Sequence, residues 1–135
     1  MPCLFIMQGP PGSGKSSIAH SIRDSLSEWS ENEVVIASAD HYMVDEDGIY
    51  RFNKDKLPEA HKKCFEDVVD AVRRERDVIV DNTNIYKQHV EPYIELASQA
   101  GYDVQVIRCY GRFKSVHDVP ENVVERMRHD MQELI

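Results

Sequence analysis

Apolar residues along this chain alternate between short unbroken blocks and helical stripes. Residues 3–8 (CLFIMQ) form the first block, and an apolar run of that length before a Gly-rich turn predicts a strand buried on both faces. Beyond the turn, Ile18, Ala19, Ile22, Leu26 and Trp29 recur at helical spacing and predict a helix from about 15 to 29. A second β-branched block, residues 33–39 (EVVIASA), predicts another strand, and residues 40–56, which show no clean period, read as a long loop. Pro58 suits the first turn of a helix whose apolar face is Leu57, Ala60, Cys64, Phe65, Val68, Val69 and Val72. The run Asp77–Asp81 (DVIVD) predicts a third strand. The next helix is expected to begin near Pro92 and to stop at Gly101, a residue suited to the C-cap. Residues 103–109 (DVQVIRC) predict a fourth strand. The polar turn 111–119 then leads to Pro120 and a last helix carrying Val123, Val124, Met127, Met131 and Leu134.

Strands alternating with helices imply an α/β fold, a parallel sheet of about four strands with helices on both faces. At 135 residues the chain is expected to be one domain, residues 1–135, large enough to bury a core without staples. Ligands in such folds bind beyond the carboxyl ends of the strands. The candidate site residues are therefore Gly9 to Ser16, Asp40, Asp81 with Asn82, and Gly111 to Lys114.

Composition narrows the function classes. No apolar run approaches the roughly 20 residues that span a bilayer, and no secretory leader pattern opens the chain, so a cytoplasmic protein without a membrane role is expected. Cys3, Cys64 and Cys109 form no C-x-x-C pair, and the six histidines show no H-x-x-x-H spacing, which argues for reduced, apolar cysteines and against a zinc site. The formal net charge of −8 disfavours non-specific coating of nucleic acid, so a phosphate-rich ligand must meet a local positive patch.

Such a patch is written in Gly9-Pro10-Pro11-Gly12-Ser13-Gly14-Lys15-Ser16, which fits G-x-x-x-x-G-K-[ST] between a predicted strand and a predicted helix. Glycines let the loop curl so that successive N–H groups face phosphate oxygens, and the helix N-terminus adds a positive dipole end. Gly9, Pro11, Gly12, Ser13, Gly14, Lys15, Ser16 and Ser17 are the expected nucleotide-binding residues, which makes the predicted architecture a P-loop NTPase-type three-layer sandwich. Lys15 would place its charge on the β and γ phosphates, and the Ser16 hydroxyl would ligate Mg²⁺. Asp81, closing an apolar strand, is the expected second metal-side group, with capping of the following turn as the alternative. Asp77 opens that strand and is the weaker candidate.

Asp40 ends strand two, where a carboxylate either orients and deprotonates an attacking hydroxyl or caps its own loop. The cluster Asp45, Glu46 and Asp47 reads as a solvated loop rather than a metal site. Arg112 and Lys114 either neutralise the moving phosphoryl group from a mobile turn or are surface cations. Arg51 and Lys54 either meet an anionic acceptor or face solvent, and Tyr42, Tyr50 and Phe52 either pack over the core or stack on a base.

GPPGSGKS, SADHY, DGIYRFNKDKLPEAH, VIVDNTN and VHDVP, in this order and spacing, resemble the polynucleotide-kinase-like P-loop kinases across nearly the whole chain. The resemblance implies an ATP-dependent phosphotransferase with Mg²⁺. Lys15 and Ser16 would hold the donor phosphates and the metal, and Asp40 would be the general base. Asp81 and Asn82 would lie near the metal and the acceptor phosphate, with Arg112 and Lys114 in a lid. The sequence departs from the group's pattern at His41, where an acidic residue is common, and at Met43, where an arginine contacts the acceptor. Lys114 stands for a catalytic lid arginine and lacks its bidentate fork. The implied acceptor is the 5′-hydroxyl of a single-stranded nucleic acid end or of a nucleotide. A small-metabolite kinase and an ATP-hydrolysing module are the alternatives.

Overall fold

The computed structural model describes residues 2–29, 32–113 and 119–135. Four parallel strands form one sheet in the order β2-β3-β1-β4: β1 Cys3–Gln8, β2 Val35–Ala37, β3 Val78–Asp81 and β4 Asp103–Arg108. The central strand β1 is buried on both faces. Leu4 and Ile6 point one way, and Phe5 and Met7 the other. Side chains alternate across a pleat, so a strand covered on both sides needs apolar residues at every position, which CLFIMQ supplies.

Helix α1, Lys15–Trp29, covers one face through Ala19, Ile22 and Leu26, packed on Phe5, Met7 and Ile79. Helices α2, Leu57–Arg73, and α3, Lys87–Ala100, cover the other. They place Ala60, Cys64, Val68, Val90, Tyr93 and Ala97 on Leu4, Ile6, Val78 and Val80. This is the expected three-layer α/β arrangement. No helix is long and apolar enough to cross a membrane among the described residues.

Four expectations need correction. First, β2 is shorter than 33–39, because the Ser38 hydroxyl accepts from the Asp40 N–H and starts a 3₁₀ turn, Ala39–Tyr42. Second, the 40–56 segment is not a bare loop, since it holds that turn, a Val44–Tyr50 bridge and a second short turn, Lys54–Lys56.

Third, α3 begins at Lys87, ahead of Pro92, and leaves Pro92 inside the helix. Pro92 has no N–H to offer the Gln88 carbonyl, but both residues lie on the exposed side, where water can serve that carbonyl. Gly101 does end this helix, with φ of 75° at the C-cap. Fourth, the last helix, α4, spans only Glu121–Asp130, and none of its residues is buried. Met131 leaves the helix as its C-cap, and Leu134 enters the α2–α3 core from the extended tail beyond.

Candidate nucleotide-binding site

The loop from Gly9 to Ser16 leaves the carboxyl end of the central strand and runs into the first turn of α1. Its curl needs positive φ at Gly12 (80°) and Gly14 (94°), a region that side chains disfavour. Gly9 is required for space, because a Cβ there would lie 2.4 Å from Ser13 Oγ and 2.8 Å from the Cys109 carbonyl. The Ser13 N–H donates to the Pro10 carbonyl at 3.2 Å, and Ile18 N–H donates to Gly14 at 3.1 Å, which starts α1. The first N–H groups of α1 have no partner within the helix and remain for an anion. Lys15 Nζ reaches back over the loop to the Pro10 carbonyl at 3.1 Å. Burial lowers the Lys15 pKa, while the carboxylates of Asp81 and Asp40 act to raise it.

The segment 81–84 (DNTN) ties the strand ends to this loop. Asp81 Oδ2 accepts from Ser16 Oγ at 3.0 Å. The Thr83 carbonyl accepts from Gly9 N–H at 3.0 Å. Asn84, in the left-handed region at φ 49°, donates from Nδ2 to the Met7 carbonyl at 2.7 Å. Asn82 Oδ1 accepts from Ala39 N–H at 2.9 Å, and its Nδ2 faces Cys64 Sγ at 3.5 Å. Asn82 therefore fixes the backbone next to Asp40.

Burial raises the Asp81 pKa, and the Ser16 hydroxyl and Lys15 oppose that rise. Its second oxygen, Oδ1, is buried without a hydrogen-bond partner, as is Ser13 Oγ. An orphan carboxylate oxygen beside a serine hydroxyl and a phosphate cradle fits Mg²⁺, which takes one or two protein oxygens and completes its shell with phosphates and water. No group of three His, Cys, Asp or Glu that could hold a metal ion lies among the described residues.

Asp40 sits at the start of the 3₁₀ turn, with Tyr50 Oη donating to its Oδ1 at 3.5 Å. Its charge acts on Lys15, on Asp81 and on His61. Although β2 and β1 are separated by β3, the Asn82–Ala39 bond holds the turn that carries Asp40 against the end of β3, whose Asp81 meets Ser16 of the phosphate loop. Beside Asn82 opens a cleft of about 780 Å³ between α2 and α3, walled by Phe65, Tyr93 and Pro58 and rimmed by His61, Lys62 and His89. Burial, then His89, lowers the His61 pKa. Nothing in the helical periodicity of α2 or α3 announced this cleft, because it exists only where the two helices meet.

The remaining expected residues are placed differently. Arg51 is 70% exposed at its side chain and pairs with Asp45, which also accepts from Asp47 and Ile49 N–H groups. The acidic cluster, expected as a solvated loop, is a hydrogen-bonded turn organised by Asp45. Tyr42 and Tyr50 pack on the core, while Phe52 is exposed. Asp77 lies at the opposite sheet edge, with its carboxylate on Cys3 N–H. Arg112 pairs with Glu125 of α4 at 2.7 Å. Lys114, with most of the VHDVP motif, lies outside the described residues.

Sequence reasoning missed Arg128. It reaches from α4 to the Tyr110 and Gly111 carbonyls at 3.4 Å and to Glu125 at 3.5 Å, and so holds the turn after β4. The i,i+3 spacing of Glu125 and Arg128 was its only trace in the sequence.

Comparison with known proteins fits this geometry. A protein-family model described as an AAA domain matches residues 4–112. The mouse (Mus musculus) 2′,3′-cyclic-nucleotide 3′-phosphodiesterase is 31% identical over 105 residues, covering 77% of this chain and 23% of that protein. The chain spans less than a quarter of the length of the curated relatives it matches. Among solved structures, a chain of the Pnkp1/Rnl/Hen1 RNA repair complex superposes with a TM-score of 0.72 at 19% identity, covering 98% of this chain and 45% of that one. Chaetomium thermophilum Kti12 in complex with ADP-AlF3 gives 0.65 at 19% identity, covering 96% and 80%. With a phosphate loop, a parallel 2-3-1-4 sheet and a family match over most of its length, this chain belongs to that AAA-domain family.

Proposed function

We propose that this domain transfers the γ-phosphoryl group of ATP to a hydroxyl, most naturally the 5′-hydroxyl of a nucleic acid end or a nucleotide. The observation that carries the reading is the pair of bonds at the end of β3: Asp81 accepts from Ser16 of the phosphate loop at 3.0 Å, and the next residue, Asn82, accepts from Ala39 N–H at 2.9 Å, beside Asp40. The loop amides and the first turn of α1 bind the triphosphate. Lys15 neutralises charge on its terminal phosphates. Ser16 and Asp81 would hold Mg²⁺, which would supply further neutralisation of the phosphate charge.

The acceptor hydroxyl donates its proton to the Asp40 carboxylate as its oxygen bonds the γ-phosphorus. The bond from that phosphorus to the bridging β–γ oxygen breaks, and ADP leaves. Tyr50 orients the carboxylate, and the Asn82–Ala39 bond fixes its backbone. The cleft beside Asn82, walled by Phe65 and Tyr93 and lined also by His61, Lys62, Glu66 and His89, supports an acceptor that carries a flat base. The Pnkp1 likeness adds to that choice of acceptor.

A small-metabolite acceptor is the second reading, supported by the net charge of −8 and by Met43, which is buried and offers no cation. The test is incubation with γ-labelled ATP and either a 5′-hydroxyl oligonucleotide or small alcohols. Label on the oligonucleotide is expected, and label only on small alcohols would select the second reading. Asp40→Asn is expected to lower transfer by about 10²–10⁴-fold while leaving nucleotide affinity unchanged. Unchanged transfer would remove Asp40 as the base.

A further inference from the structure

We propose that Phe113 is the stacking platform for the base of the nucleotide held by the phosphate loop. The proposal rests on the reading that this loop binds a nucleoside triphosphate, and it assigns the part of that ligand which no motif addresses. The turn after β4 is fastened to the loop at two backbone positions, Gly111 N–H to the Ser13 carbonyl at 3.1 Å and Phe113 N–H to the Gly12 carbonyl at 2.8 Å. The Cδ2–Cε2 edge of the ring lies against two glycines. A Cβ at Gly111 would meet it at 2.5 Å, and one at Gly14 at 3.4 Å.

The ring is therefore held by its edge and its backbone while remaining 71% exposed. A large apolar ring kept in water at the rim of an anion cradle is stabilised when a flat partner covers it. Arg128 strengthens the mount by binding the Gly111 carbonyl from α4.

Topology selects the occupant. The strand order puts Asp40, after β2, and Phe113, after β4, on opposite sides of β1 and its loop. A nucleotide whose terminal phosphate faces Asp40 runs its other end toward the β4 side, where Phe113 stands. A π-face does not read hydrogen-bond edges, so this platform accepts any base, and affinities for ATP, GTP and CTP are expected within a few-fold of one another.

The test compares ADP with inorganic tripolyphosphate, both with Mg²⁺, by calorimetry. Phe113→Ala is expected to weaken ADP binding about tenfold and to leave tripolyphosphate binding unchanged, with Phe113→Tyr restoring ADP affinity. In a Trp29→Phe background, the indole introduced by Phe113→Trp is expected to be quenched by ADP and not by tripolyphosphate. Wild-type ADP affinity in Phe113→Ala, with tripolyphosphate still bound, would overturn this platform alone. Failure of the wild-type protein to bind either ligand would overturn the platform together with the phosphate-loop reading.

Discussion

Tyr42 shows how one side chain couples the site loop to the sheet's cover. Its phenol donates to the Asp67 carboxylate on α2, and that bond, then burial, pushes its pKa up to about 12 from 10.0. The folded state therefore keeps this proton after the unfolded chain has lost it. The stabilisation is full below pH 10 and is lost as pH rises through about 12. Tyr42→Phe is expected to cost about 1 kcal/mol at pH 8, the low end for a bond to a charged group because the pair is partly solvated. In urea unfolding, the gap to the wild-type protein should close between pH 10 and 12. A gap constant to pH 12 would mean the phenol is not held by Asp67. The same scale explains Asn82. Its identity was legible, but its use was not, because only the folded strand ends bring Ala39 N–H within 2.9 Å of it.

At the scale of elements, α3 is where a local rule lost to packing. Pro92 suits a first turn, so a start near it was the economical reading. The helix instead gains a turn and a half before it, because Val90 is wholly buried against the sheet and the Lys87 N–H is satisfied by Gln132 Oε1. Those contacts outweigh one missing backbone bond. Pro92→Ala restores that bond and should raise stability by about 1–2 kcal/mol, net of the lost rigidity of the proline ring. An unchanged or lower Tm would show that the ring contributes packing beside the cleft that the bond does not replace. The span of helix α1 follows from local signals, its apolar spacing and the Gly-rich turn before it, although Ile18 and Trp29 of that stripe are exposed.

For the whole molecule, the tail after α4 acts as a clasp. The Gln132 carbonyl accepts from Gln8 Nε2 at 2.7 Å and from Arg108 at 2.9 Å, and its N–H donates to the Ile85 carbonyl at 3.0 Å. One residue thus joins β1, β4 and the β3–α3 turn, and Leu134, 2% exposed, plugs the core beside it. Leu134→Ala is expected to cost about 2–4 kcal/mol, read as a lower Tm and urea midpoint. A loss under about 0.5 kcal/mol, the range of surface changes, would show that the tail is not part of the core.

Order along the chain was enough to determine the layers, the parallel sheet and the phosphate loop, because each depends on spacing within a few residues: period two or open runs in strands, 3.6 in helices, and glycines where a loop must curl. Residues far apart in sequence had to be brought together for the rest. The turn that carries Asp40 is tied through Asn82 to the strand end that meets the phosphate loop, the α2–α3 cleft lies between helices, Arg112 is tied to Glu125, and Phe113 is mounted on the phosphate loop. Such pairings depend on how twisted strands and their covering helices pack in three dimensions, and no local periodicity encodes them.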